Sequence, residues 1–129
     1  MIAITHFRDT AENPVAPAGP IPDDRPFAAR AEDALAALAA RPGYLRGSLC
    51  RSMDDPADWL LLTEWETVGA YRRALGGYEV KLAATPLLAQ ARDLPGGFET
   101  LLDIAPDGRR TASTSDRAEP APGRTPWPT

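Results

Sequence analysis

Trp59-Leu60-Leu61-Leu62-Thr63-Glu64-Trp65-Glu66 decides the fold of this chain. The run is short, apolar and aromatic. A turn-like Asp54-Asp55-Pro56 precedes it and a helix-like pattern follows, so it reads as a strand. Side chains alternate faces along a strand. Trp59, Leu61, Thr63 and Trp65 share one face; Leu60, Leu62 and Glu64 share the other. Both faces are apolar at its start, so both need cover. A second copy of so small a chain is the economical source of that cover, and a homodimer is expected. The strand ends in Glu64-Trp65, a carboxylate and a large aromatic at its exit.

Composition narrows the function. A length of 129 residues predicts one domain, with 43% apolar residues to build a core and 25% charged residues to solvate it. The formal charge of −4 argues against a nucleic-acid partner, which requires a basic surface. A single cysteine, Cys50, excludes an intrachain disulfide and an all-cysteine metal site; it reads as a small buried hydrophobe. Met1 to Arg8 lacks the basic-then-apolar order of a signal peptide, and no apolar run nears the roughly 20 residues that span a bilayer. A cytoplasmic protein with no membrane partner is expected.

Working outward, Ile2 to Arg8 alternates as a first strand. Asp9 to Arg25 carries Pro14, Pro17, Pro20 and Pro22. Each proline removes a backbone donor, so this is a long loop, a lid or an insertion. Pro26 suits a first helical turn, after Asp23 and Asp24 at the positive helix end. Phe27, Ala31, Ala34, Leu35 and Leu38 then recur at helical spacing, and Arg41-Pro42-Gly43 stops the helix. Tyr44 to Met53 is a second strand, with Leu45, Gly47 and Leu49 facing one way and Tyr44, Arg46, Ser48 and Cys50 the other. It forms a hairpin with the third strand.

Val68, Tyr71, Leu75, Tyr78 and Leu82 form one helical stripe, broken at Gly76-Gly77. Pro86 starts a short further turn, and Phe98 to Ile104 is the last strand. Beyond Pro106 the apolar pattern stops. Residues 1–105 are therefore expected to form the domain. Residues 106–129, rich in Pro, Ser, Thr and Arg, are expected to be a disordered tail, with Trp127 exposed. The element order is βαββαβ. It predicts an α+β, ferredoxin-like fold with an antiparallel sheet, helices on one face, and the other face awaiting a partner.

That order, with Arg41-Pro42-Gly43-Tyr44, Leu60 to Glu66 and Val68-Gly69-Ala70-Tyr71, resembles the antibiotic biosynthesis monooxygenase family over residues 1–105. The resemblance implies a dimeric α/β barrel with a pocket between sheet and helices. It implies a cofactor-independent monooxygenase acting on an aromatic, anthrone- or quinol-like small molecule that supplies its own electrons to dioxygen. It implies no cofactor. Haem degradation is disfavoured, because the residues for it are missing: the first strand lacks the asparagine, and Val68 to Ala84 contain no histidine.

On that resemblance Trp65, Tyr71 and His6 are the catalytic candidates. Tyr78, Arg72 and Lys81 are the substrate-binding candidates, with Arg73 as a neighbouring cation. Each has a plainer reading. Trp65 reads equally as a core aromatic, and Tyr71 and Tyr78 read more readily as core than as catalytic groups. The arginines read as solvated helix residues. His6, the sole histidine, reads as a satisfied strand residue, although its side-chain type titrates closest to neutrality. No metal cluster is legible. The alternative function is a non-catalytic module that binds a small molecule, or a stabilising subunit.

Overall fold

The structure is a computed structural model that describes residues 1–17 and 23–114. Pro20, Pro22, Trp127 and the tail from residue 115 onward lie outside the described residues. The chain divides into two compact units, Met1–Phe98 and Glu99–Thr129.

The first unit contains β1 (Ile2–Arg8), α1 (Phe27–Ala39), β2 (Tyr44–Arg51), β3 (Asp58–Trp65), α2 (Val68–Leu75), α3 (Tyr78–Ala83), α4 (Thr85–Leu88) and β4 (Gly97–Phe98). The four strands form one antiparallel sheet in the order β2-β3-β1-β4. This is the α+β, ferredoxin-like fold that the element order predicts. The run at Trp59 to Trp65 lies at the centre of the sheet, between β1 and β2.

The two faces of the sheet differ sharply. Leu61, Thr63 and Trp65 are buried on the helix side, beside Ala3 and Phe7 of β1. Each large apolar side chain buried this way stabilises by roughly 1.5–3 kcal/mol. Thr63 is the one fully buried polar residue among those described, and its hydroxyl accepts the Trp65 indole N–H at 2.8 Å. The opposite face presents cross-strand rows: Ile4, Leu62 and Ser48, then His6, Leu60 and Cys50. Cys50 is exposed there, which corrects the expectation of a buried thiol; it lies on the side of β2 that no helix covers.

Helix α1 buries Phe27, Ala31, Ala34 and Leu38, close to the expected stripe. Pro26 caps it without a side-chain hydrogen bond, and Asp23 pairs with Arg25 at 2.6 Å instead of serving the helix end. Gly43 leaves the helix at φ +87, a left-handed conformation that disfavours any side chain. A Cβ at Gly43 would also stand 2.5 Å from that of Ala70.

Two expectations need correction in the first unit. The helical stripe breaks at Gly76-Gly77 as expected, but of its large members only Tyr71 and Leu75 pack against the core, and those only partly buried. Ala70, Ala74 and Val80 are buried, whereas Val68, Tyr78 and Leu82 are exposed. Alanine lets a helix approach the sheet closely, and the two glycines reset the helical phase before Tyr78. In β2 the register shifts between Tyr44 and Arg46. This bulge leaves Leu45 exposed and turns Tyr44 toward Trp65, opposite to the face that simple alternation assigns it.

The described part of the proline loop is anchored. Val15 is buried in the core. Its N–H donates to the Asp9 carboxylate at 2.8 Å, and the Arg30 guanidinium donates to the carbonyls of both Val15 and Ala16. Gln90 adds a further bond to the Ala16 carbonyl at 2.6 Å.

The second unit contains a hairpin, β5 (Leu102–Ile104) with β6 (Arg110–Ala112). The expected strand from Phe98 to Ile104 is therefore split: Gly97–Phe98 pairs with β1, and Leu102–Ile104 pairs with residues assigned to the patternless tail. Asp107-Gly108, with Gly108 at φ +85, makes the turn.

Candidate functional site

Strand β3 carries a tryptophan near each end on its helix-facing side, and the two have different surroundings. Trp65 is 1% exposed. Tyr44 meets it edge-on with ring centroids 5.5 Å apart, and Tyr71 of α2 lies at 5.6 Å with a 52° tilt. Met1 and Trp65 exchange backbone hydrogen bonds, which fixes the strand end. Thr67 caps α2 by accepting the Ala70 N–H at 3.0 Å, and the cap sets where Tyr71 falls on the helix. Burial pushes the Tyr71 phenol above its ordinary pKa, so the group stays protonated and is a hydrogen-bond donor at neutral pH.

Trp59 is only partly buried. Its ring packs edge-on against Phe27 at 5.4 Å, and Phe27 meets Phe7 at 5.1 Å. The Arg51 guanidinium lies 4.9 Å from the Trp59 ring centroid, within cation–π range. An open cavity of about 330 Å³ lies at this end. Phe7, Trp59 and Leu60 supply its apolar lining. His6, Cys50, Ser52, Asp58, Arg51 and Arg92 supply its polar groups. Arg8 binds both Asp55 and Asp58 at 2.8 Å beside it. The hydrogen bond from Arg8, then that from the Ala57 N–H, holds the Asp55 carboxyl below its usual range.

Residues 23–85 match the sequence model of the antibiotic biosynthesis monooxygenase family. This is a domain of that family. The matched segment runs from before α1 to the start of α4 and includes Trp59 and Trp65. A curated relative, the 42.8 kDa protein in the whiE locus of Streptomyces coelicolor, is 31% identical over 86 residues. The match covers 67% of this chain but 21% of the relative, so the chain spans about a fifth of that protein's length. Two solved structures share the fold. A variant of SnoaB, a cofactor-independent oxygenase from Streptomyces nogalater, has a TM-score of 0.52 at 20% identity, covering 92% of this chain and 95% of that one. A protein of Nitrosomonas europaea assigned to the antibiotic biosynthesis monooxygenases has a TM-score of 0.52 at 14% identity, covering 74% and 90%.

The structure brings together only part of the set expected from sequence. Trp65 and Tyr71 are in contact. His6 lies in the opposite face of the sheet, in a row with Leu60 and Cys50. Tyr78 is 73% exposed at the start of α3. Arg72, Arg73 and Lys81 are exposed on α2 and α3. Sequence reasoning overlooked Tyr44, which only the bulge brings to Trp65, and Arg41, whose Nε is buried with no hydrogen-bond partner among the described residues. It also overlooked Trp59 as a site residue, although its position on the Trp65 face was legible. Among the described residues, no group of three or more His, Cys, Asp or Glu side chains is placed to hold a metal. No helix among them is long and apolar enough to cross a membrane.

Proposed function

We propose that the domain is a cofactor-independent monooxygenase for an aromatic, anthrone- or quinol-like molecule, handled at the Trp65 end of β3. The observation that carries this reading is the pairing of Trp65 with Tyr71, a phenol kept protonated by burial. Such a substrate bears a phenolate whose electrons reduce dioxygen. For an anthrone, the ring CH2 and O2 become a ring carbonyl and water, and no other electron donor enters the balance. The protein then has to exclude water, stack the rings and hold the phenolate oxygen. Tyr44, Trp65 and Tyr71 supply aromatic walls. Tyr71, a half-buried residue, donates its hydroxyl to the oxygen; His6, on the opposite face of the sheet, and the exposed Tyr78, Arg72 and Lys81 are given no part in this step. The open sheet face, with Ile4, Leu62 and Leu60 uncovered, supports assembly as a homodimer.

One observation favours the alternative of a non-catalytic binding or stabilising protein. Trp65 is sealed, and its indole N–H is already satisfied by Thr63. Oxygen uptake separates the two readings, using hydroxyanthrones and hydroquinones without added metal or flavin. The expected result is uptake above autoxidation that falls about a hundredfold in Tyr71→Phe, the scale of one lost donor at a developing oxyanion. Binding of the same compounds without uptake would establish the alternative.

A further inference from the structure

Arg41 follows α1 and carries a buried donor that no described residue satisfies: its Nε has no hydrogen-bond partner among them. Its backbone is fixed on both sides. The N–H donates to the Leu38 carbonyl at 3.0 Å, and the carbonyl accepts the Tyr44 N–H at 3.3 Å. The side chain lies against the break between α2 and α3. A Cβ built on Gly77 would stand 3.1 Å from both Nε and Cζ of Arg41, and 3.2 Å from the Ala74 carbonyl oxygen. Gly77 is buried at φ −69, which any residue can adopt, so the missing side chain serves the guanidinium and not the backbone. The Ala74 carbonyl beside it already accepts the Gly77 N–H at 3.0 Å. Other arginines are committed: Arg8, Arg25, Arg46 and Arg92 face carboxylates, and Arg30 and Arg51 donate to backbone carbonyls. A buried charged donor left unmet is costly, so the Arg41 guanidinium calls for an acceptor.

Both neighbours of this guanidinium lead to the Trp65 end. Tyr44, bonded to the Arg41 carbonyl, meets Trp65 edge-on at 5.5 Å. Ala74 lies one turn beyond Tyr71 on α2, and Tyr71 meets Trp65 at 5.6 Å. We infer that Arg41 is a ligand-binding residue of this site, and that the site takes a hydroxyarene as its oxygen anion rather than as the neutral phenol or quinol. The guanidinium supplies the positive charge, and the Tyr71 hydroxyl is a second donor to the same oxygen. The inference rests on the oxygenase reading for its ligand class, since the anion is the form that gives electrons to dioxygen. Arginine stays charged at every working pH, and its planar fork of N–H groups suits a delocalised oxygen anion. Arg72, Arg73 and Lys81 are exposed, where water screens their charge. Glu66 and Glu79 are exposed too, and Glu64 is paired with Arg46, so no ion pair among the described residues neutralises Arg41. The guanidinium lies among the helices, clear of the uncovered sheet face.

The test is an absorption titration of 2-hydroxyanthraquinone, whose phenol and phenolate differ in colour and which does not react with dioxygen. Binding to the whole chain should lower the pH at which the probe ionises by about one pH unit, the scale of one nearby opposite charge. Arg41→Gln should abolish that shift, and Arg41→Lys should keep part of it. Gly77→Ala keeps the charge but crowds the guanidinium out of its place, so it should keep less of the shift than wild type. The neutral 2-methoxyanthraquinone should bind wild type and Arg41→Gln alike. An unshifted probe on the wild type overturns the inference, as does failure to bind either probe. The same shift in Arg41→Gln also overturns it; if melting temperature falls there with the shift intact, Arg41 is a support for the helix ends. If Arg41→Gln does not fold, Gly77→Ala carries the test, and an unchanged shift in it overturns the inference. The oxygenase reading fails separately. A shift without oxygen uptake from hydroxyanthrones removes that reading alone, and uptake indifferent to Arg41→Gln removes this inference alone.

Discussion

Trp59 and Trp65 sit on one face of one strand, yet one borders an open cavity and the other is sealed. The difference comes from what surrounds each end. At the Trp65 end, a β-bulge brings in Tyr44 and a capped helix brings in Tyr71, so the indole is enclosed by aromatic rings and its N–H is satisfied within its own strand. At the Trp59 end, the cover is one phenylalanine and the flat of an arginine. Family resemblance points to the sealed end, and open volume points to the other. A tryptophan in a family motif can therefore serve as architecture as much as chemistry, and the two ends must be tested separately.

The sharpest test is truncation. Trp65→Ala should cost about 3–5 kcal/mol of stability, as expected for a fully buried large aromatic. Trp59→Ala should cost less than half of that, because its ring is partly in water already. Urea denaturation of both variants reads the difference, and equal costs would dissolve the contrast between the ends. Trp65→Phe keeps a ring and should cost only ~1–2 kcal/mol.

Next in size is the support behind the Trp65 end. Gly43→Ala forces a left-handed backbone on a side chain and drives its Cβ into Ala70. The two penalties together should reach roughly 2–4 kcal/mol. The same substitution at Gly108, which has a similar φ but open space around it, should cost only the backbone part.

The smallest effect is the response to pH, which should act on opposite sides of neutrality at the two ends. Asp55 is depressed by Arg8, so its contribution is present above the unfolded carboxylate value near ~4 and is lost as pH falls through the folded one. Tyr71 is raised by burial, so its contribution is intact below the unfolded phenol value near ~10 and is lost as pH rises through the folded one. Fluorine NMR of chain labelled with 5-fluorotryptophan should show the Trp59 signal moving first in acid and the Trp65 signal first in base. The reverse order would mean that these groups do not govern their own ends.

Much of this architecture was legible before the structure, and the failures have physical causes. The alternation in Trp59 to Trp65 assigned both faces of the central strand correctly, because a strand's period is fixed. The βαββαβ order gave the sheet. The helical stripe misled because Val68, Tyr78 and Leu82 carry most of the hydrophobicity while Ala70 and Ala74 make the close contact. The register shift at Leu45 leaves no mark in an alternation pattern. The turn at Asp107-Gly108 was readable from its composition but was hidden by the polar residues around it. His6 could be placed beside Ile4 by parity. Which side of the sheet faced the helices depended on a cross-strand register that no single strand reveals.

The anchoring of Val15 bears on how the connection between β1 and α1 tolerates change. Arg30 of α1 and Gln90 of the turn after α4 fasten the backbone at Ala16, so the long connection behaves mechanically as two shorter ones. The cost of closing a loop rises only with the logarithm of its length, by about 0.6 kcal/mol per doubling. Residues added after Pro17 would be charged at that low rate. Residues added before Val15 would pull a buried side chain out of register. The tolerance of this domain to insertion should therefore change abruptly at a single point in the chain, set by one carbonyl that two side chains hold.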